Sequence, residues 1–443
     1  MTHTAIKGDF IKYVSLNVLG MIGLSCYILA DTFFISKSLG SLGLAALNFA
    51  IPAYNIINGI GLMAGMGGGA KFTILKSQNE PEQANMVFTH SVLLGIAGGI
   101  IIALIGLLFS SPISTLLGAD QSTLAITDIY LKTILCFAPF FILNNILLAY
   151  VRNDHNPKLS MIAMLTGSFS NIILDYVFIY PCNLGMFGAA FATGLSPIIS
   201  LAILSLHFTM HKNQFHFKRS SIIPAYIFSI LSLGIAAFIT ELSSGVVLIT
   251  FNLVISQIEG NIGVAAYGII ANLALVIIAI FTGISQGVQP LLSNNYALRE
   301  HNTVKQLLKY AIITAITFSG FVYTFSLIHS DFLIGVFNSE RNVRLHDLAS
   351  SGIQLYFTGF FCAGFNIVST TFFSAVESPK QSFVISVVRG FAAIIPMVFI
   401  FAMLLGTKGV WISFPAAEGT TAMLALLFLI WYHQANKNKQ KVL

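Results

Sequence analysis

The sequence predicts an all-α membrane protein, with twelve transmembrane helices in two pseudo-symmetric six-helix bundles around a central cleft. Three observations predict this. First, the chain is 56% hydrophobic with only 9% charged residues, and its mean hydropathy is +0.85. A soluble domain carries about 25% charged residues, so this chain cannot cover a water-facing surface. Second, apolar runs of spanning length recur from end to end, without the alternation of barrel strands. Third, the two halves repeat one another.

Crossing the hydrocarbon core takes about 20 apolar residues. Twelve runs qualify: 12–36, 44–70, 86–109, 126–150, 158–180, 187–210, 232–257, 263–290, 306–329, 348–374, 381–406 and 409–432. The first follows Lys7 and Lys12, but it is too long for a signal-peptide core and lacks a small-residue cleavage site. It is read as the first span.

Lys and Arg set the orientation. With the N-terminus inside, sixteen fall at inner ends and loops, from Lys7 and Lys12 through Arg152 to Lys437, Lys439 and Lys441. Four fall on outer loops (Lys37, Arg341, Arg344 and Lys408), and Lys132 and Arg389 lie within spans. This bias predicts a multi-pass protein of the plasma (inner) membrane with both termini cytoplasmic. It also accounts for the net charge of +6 without a nucleic-acid partner. The four cysteines, Cys26, Cys136, Cys182 and Cys362, form no CxxC pair and are expected to be small buried hydrophobes.

The repeat has three parts. "LGSLGLAA" at 39–46 returns as "EGNIGVAA" at 259–266, "NPKLS" at 156–160 as "SPKQS" at 378–382, and "GMFGAAF" at 185–191 as "GTKGVWI" at 406–412. The offsets are 220, 222 and 221 residues, in the same order. An even number of spans per half makes the repeat parallel, with its axis along the membrane normal. The expected organisation is an N-lobe at 1–210, a cytoplasmic linker at 211–231 and a C-lobe at 232–443 with a basic tail. Glycines at 61, 65 and 69, and at 283 and 287, are read as close helix-packing positions. "GISQG" at 283–287 matches a hydrolase-elbow pattern, but it lies inside a span and lacks the strand-to-helix turn that chemistry needs.

Most acids fall in loops or tails, including Asp154 and Glu340. Asp128 is expected to pair with Lys132, four residues on. Four acids remain inside spans: Asp31, Asp175, Glu241 and Glu418. A charge at mid-membrane costs at least about 2.5–3.5 kcal/mol, and such residues mark ion or substrate paths. Asp31 and Asp175 each lie five residues before the outer end of an outward-running span, and Thr193 lies six after the start of an inward-running one. At about 1.5 Å per residue these three share one level, roughly 8–9 Å below the outer boundary. Asn171 is one turn before Asp175, and Tyr27 one turn before Asp31. Two carboxyls in a poorly hydrated pocket cannot both ionise cheaply, so one should hold a proton near neutrality. The same oxygens suit Na⁺, and the residues leave H⁺ and Na⁺ both open. The competing reading is a polar staple between helices that holds no ion. In the second half Asp175 aligns with Pro396 and Asn171 with Ala392, so the cluster does not repeat with the scaffold. Glu241 is read as a second coupling acid or a counter-charge for a cationic substrate, and Glu418 as a structural partner of Arg389.

"LADTFFIS" (29–36), "SNIILDYVFI" (170–179) and "FGAAFAT" (187–193), set in twelve spans, resemble the multidrug and toxic compound extrusion (MATE) family across essentially the whole chain. "ELSSGVVLITFN" (241–252) resembles its MepA-like bacterial branch. The resemblance implies export of amphipathic, often cationic drugs in exchange for Na⁺ or H⁺. It implies cation ligands at Asp31, Asn171, Asp175 and Thr193, with Tyr27, Tyr130, Asn144 and Asn145 near that site. Tyr130, Asn144, Asn145 and Glu241 are taken as candidates for the substrate cleft. The first span has no proline and the tenth no acid, two departures from some relatives. The runner-up is a flippase of lipid-linked precursors, or another metabolite exporter, of the same superfamily. No nucleophile or metal constellation points to an enzyme. The expectation is a functional monomer in the bilayer with drug-like substrates and no cofactor beyond the coupling ion.

Overall fold

The computed structural model describes residues 3–219, 221–338 and 342–442, and side chains between 5 and 435. Glu340 and Arg341, and the side chains of Lys437, Lys439 and Lys441, counted above, lie outside the residues so described. The helices are α1 (His3–Ser77), α2 (Pro81–Leu116), α3 (Leu124–Cys136), α4 (Ala138–Asn153), α5 (Pro157–Ile179), α6 (Gly185–Thr209), α7 (Pro224–Ala297), α8 (His301–Ile328), α9 (Ser330–Phe337), α10 (Val343–Tyr356), α11 (Phe360–Ala375), α12 (Pro379–Val387), α13 (Ile394–Leu405) and α14 (Thr407–Val442). Among the described residues nine stretches are long and apolar enough to cross a membrane, or ten with α3 and α4, bent by 47°, taken as one. Two of them, α1 and α7, are each a pair of spans joined at a glycine, which gives the twelve predicted spans.

Those joints explain the sequence repeat. Gly40 (φ 62°, ψ −149°) and Gly260 (φ 63°, ψ −150°) turn the chain inside α1 and α7. That backbone region is essentially restricted to glycine. The "NPKLS" and "SPKQS" repeats place Pro157 and Pro379 in the first turns of α5 and α12, where a missing N–H costs nothing. His155 and Glu377, just before them, both have positive φ. So do Gly185 and Gly406, where α6 and α14 begin. What the halves share is the chemistry of turning.

Two hydrophobic cores form. One runs from Ile35 to Ile230 in sequence, the other from Phe251 to Leu429, joined by Ile6, Phe10 and Val14 from the start of α1. The cores meet where α1 crosses α7 almost backbone to backbone. A Cβ at Gly67 would lie 2.0 Å from the Ile230 carbonyl oxygen, and one at Gly234 would lie 1.9 Å from that of Met63. The predicted packing glycines also make contact: Gly61, Gly65 and Gly69 face Asn145 and Asn153 of α4, and Gly283 and Gly287 face Val18 and Val14 of α1.

Within the expected joint, residues 211–219 and 221–223 are not helical and α7 starts at Pro224. Proline at the first helical turn sets that start. The linker is pinned along α2. Asn85, Thr89 and His90 accept from the backbone N–H groups of His216, Lys218 and Ile223. Phe215 is fully buried against Phe88 and Tyr150.

The halves are latched to each other at one end. Lys71 pairs with Glu377 at 2.7 Å, Ser77 donates to Asn294 at 2.7 Å, and Asn153 donates to Gln289 at 3.2 Å. Asp154, counted among the loop acids, lies in the turn after α4 but is 3% exposed. It accepts from Lys76 Nζ at 2.7 Å and the Gln214 N–H at 2.7 Å, and its other close partner is His207 Nε2 at 2.9 Å. Burial opposes its ionisation, but the hydrogen bonds from His207, Lys76 and Gln214 outweigh burial and hold the carboxyl below its ordinary range.

Two expectations fail. No ion pair joins Asp128 to Lys132 among the described residues: Lys132 is exposed and Asp128 Oδ1 has no partner. A long exposed side chain gains little from fixed pairing. The cysteines are free, but none is buried; Cys26 and Cys182 are exposed. In a membrane protein the outer face of a span is itself apolar, so a small hydrophobe gains nothing by facing inward.

Two outcomes follow. Gly67→Val and Gly234→Val should each lower thermal stability by at least the 1–3 kcal/mol or so of overpacking. Gly268→Ala should not, since its Cβ would meet nothing within 4 Å; melting curves of the purified protein decide. Asp154→Asn should destabilise the protein at neutral pH by on the order of 3 kcal/mol. The native contribution is complete above the ordinary carboxylate value, about 3.9, and is lost as pH falls through the lowered one. The gap between wild type and Asp154→Asn should therefore close in acid, and equal stability at pH 7 would contradict the assignment.

Candidate functional site: a carboxyl cluster beside a central cavity

Four helices place the predicted cluster. α1 carries Asp31, α5 carries Asn171 and Asp175 one turn apart, α6 carries Thr193, and α3 adds Tyr130. None reaches water: Asp31 is 6% exposed, Thr193 4%, and Asn171 and Asp175 0%. The two carboxyls lie close enough to act on each other electrostatically. With its amide turned to satisfy both neighbours, Asn171 donates to Asp175 Oδ2 at 3.1 Å and accepts from the Thr193 N–H at 3.3 Å. In the opposite orientation it donates to Thr193 Oγ1 at 3.4 Å. Oδ1 of Asp31 and Oδ1 of Asp175 have no partner. Buried oxygens of this kind are costly unless a proton or a cation meets them.

The donor set is hard: carboxylate, amide and hydroxyl oxygens from Asp31, Asp175, Asn171 and Thr193. Such ligands suit a small hard cation, and a carboxyl pair suits a shared proton. No group of three or more His, Cys, Asp or Glu stands together as a metal site among the described residues; only two acids meet here.

The two tyrosines exchange their expected places. Tyr130 is 5% exposed and sits beside the cluster, close to Asp31, Asp175 and Thr193, and not on the cavity wall. Tyr27 bonds Tyr54, hydroxyl to hydroxyl at 3.0 Å, and lines the cavity. The reason is position along the helix: one turn before Asp31 on the same face, Tyr27 meets Tyr54 of the neighbouring arm of α1. The Tyr27–Tyr54 pair is thus the shared wall of cluster and cavity.

The cavity between the halves has a volume of about 430 Å³. Asn144, Asn145 and Glu241 line it. Asn145 donates to Asn58 at 2.6 Å, and Asn58 donates to Glu241 Oε2 at 3.2 Å, so a polar chain crosses from α4 through α1 to α7. On the other wall Arg389 pairs with Glu418 at 2.8 Å, and Asn366 donates to the same carboxylate at 2.7 Å. Arg389 lies on a π-helical turn, Val388–Ala392, a local widening that re-aims side chains.

Sequence reasoning missed Arg152, counted as a loop cation. It is 2% exposed and faces the cavity. The available signal was its place at the end of the 126–150 run, two residues before Asp154.

The MatE family profile matches residues 18–177 and 235–401. Those segments hold Asp31, Asn171, Asp175 and Glu241. The multidrug export protein MepA of Staphylococcus aureus is 28% identical over 407 residues, covering 91% of this chain and 89% of that protein. MepA of Staphylococcus saprophyticus is 27% identical over the same length. A multidrug resistance MATE family transporter of the MOP superfamily, solved in an outward-facing conformation, superposes with a TM-score of 0.91 at 22% identity. That superposition covers 98% of this chain and 97% of the other. The Vibrio cholerae MATE transporter VcmN gives 0.90 at 20% identity, covering 98% of each chain. At these identities the structural likeness shows a common fold. With a family profile spanning both halves, the chain belongs to the MatE family.

Proposed function

We propose that this protein exports amphipathic, often cationic drug-like molecules from the cytoplasm, coupled to inward movement of H⁺ or Na⁺ by alternating access. One observation carries the reading. A buried carboxyl pair with unpartnered oxygens lies one tyrosine wall from a cavity between two halves. The name of the MepA relatives supports the drug-export part. The working unit is a monomer in the plasma membrane with both termini cytoplasmic, its lobes at 1–210 and 232–443 joined by 211–231.

The mechanism follows from the charges. A drug enters the cavity, where Glu241 supplies a negative charge and aromatic walls such as Tyr27 and Tyr54 supply faces for a cation. With the outer side open, H⁺ or Na⁺ reaches Asp31 and Asp175 and removes the cost of their buried charge. The helices that carry them then repack and move Tyr27, so the cavity loses its fit for the drug. Exchange requires only that cation and drug favour different states. The latches at the inner ends close the cytoplasmic side while this happens.

The test is efflux from energised vesicles, with a proton gradient and a Na⁺ gradient imposed separately. Asp31→Asn and Asp175→Asn should each cut gradient-driven efflux by about 10-fold or more, within the usual range of coupling energies. Both proteins should still fold, because asparagine keeps the shape without the titrating charge. Efflux at the wild-type rate by both variants would remove the site assignment, and no gradient-driven efflux by wild type would remove the export reading.

A further inference from the structure

The geometry points to a second, oppositely charged subsite in the cavity: the Arg152 guanidinium receives a carboxylate borne by the exported molecule. This rests on the export reading for the origin of its ligand.

Arg152 lies at the inner end of α4, lines the cavity and is 2% exposed. Its partners are all neutral. It donates through Nη1 to Asn17 Oδ1 and to Gln286 Oε1, each at 3.1 Å, and Nη2 lies 3.3 Å from Met66 Sδ. No carboxylate stands within ion-pairing distance of it among the described residues. Asp154, two residues away, is taken by Lys76, His207 and the Gln214 N–H. Nε of Arg152 has no acceptor, and neither has Nδ2 of Asn17 beside it.

A buried guanidinium without a counter-charge costs several kcal/mol. The only other cation on the cavity wall among the described residues, Arg389, is neutralised by Glu418. Arg152 thus leaves a surplus of N–H donors and one positive charge at the inner end. Glu241, whose carboxylate accepts from Asn58, supplies the negative charge elsewhere on the wall. A flat molecule with an amine and a carboxylate satisfies both. A packing role would need only acceptors, and Asn17 and Gln286 already provide those for Nη1. It gives no reason for two donors to be left over.

The test reads binding directly, on the full purified chain in detergent, by fluorescence polarisation. The probes are a xanthene dye with a free carboxyl group and the same dye as its methyl ester. Arg152→Gln should weaken the acid dye about 10-fold or more, as expected for a charge-assisted hydrogen bond, and the ester far less. Arg152→Lys keeps the charge and should bind the acid with intermediate affinity, which gives a reading even where the glutamine variant does not fold. Equal losses for both dyes would show a structural role and overturn the proposal, as would an unchanged affinity for the acid in either variant. Displacement of the acid dye by added anionic phospholipid would assign the guanidinium to a lipid phosphate and overturn it too. If the dyes bind as expected but neither is exported from vesicles, the export reading falls and the subsite stands.

Discussion

A carboxylate without water must be met by a proton, a cation or enough donors, and Asp31 and Asp175 are not met by enough donors. Everything that positions them acts on this shortage. α1, α5 and α6 bring the two acids, Asn171 and Thr193 to one depth, and α3 closes the pocket with Tyr130. Each group is more than nine-tenths buried, yet one oxygen of each carboxyl has no partner. A structure built only for rigidity would have filled those positions, as Asn366 and Arg389 fill the Glu418 carboxylate.

The scaffold is symmetric while its chemistry is not. Positive-φ turns recur at 40 and 260, 79 and 299, 155 and 377, and 185 and 406. They keep the two bundles alike. Inside the bundles the polar residues diverge: the first half has the Asp31–Asp175 pair, and the second has Arg389–Glu418 on a π-turn. Symmetry suits the proposed rocking motion about a shared axis, and asymmetry would let the proposed coupling ion act on one half only. The α1–α7 crossing at Gly67 and Gly234 is a close backbone contact between the halves.

Most of the scaffold was legible because membrane physics is strict: span length, charge bias and rise per residue fix twelve helices and their levels. The depth of Asp31, Asp175 and Thr193 followed from counting residues. Side-chain direction did not. Tyr27 and Tyr130 each lie near Asp31, yet Tyr27, one turn along α1 from it, reaches the cavity, and Tyr130 stays at the cluster. Arg152 and Asp154 were hidden by the rule that places charged residues in loops; a charge at the end of a span can be folded back against a neighbouring helix. Their partners, Gln286 and His207, are more than fifty residues away in sequence, and no local pattern announces them.

The central claim is that one buried carboxyl pair links cation and drug. Equilibrium linkage tests it without transport. The affinity of the purified protein for a fluorescent organic cation is measured while pH and Na⁺ concentration are varied independently. The account predicts that affinity falls as one of the two cations rises, and that this dependence disappears in the Asp31→Asn, Asp175→Asn double variant while the dye still binds. Binding that ignores both cations, or a dependence that survives in the double variant, would contradict it.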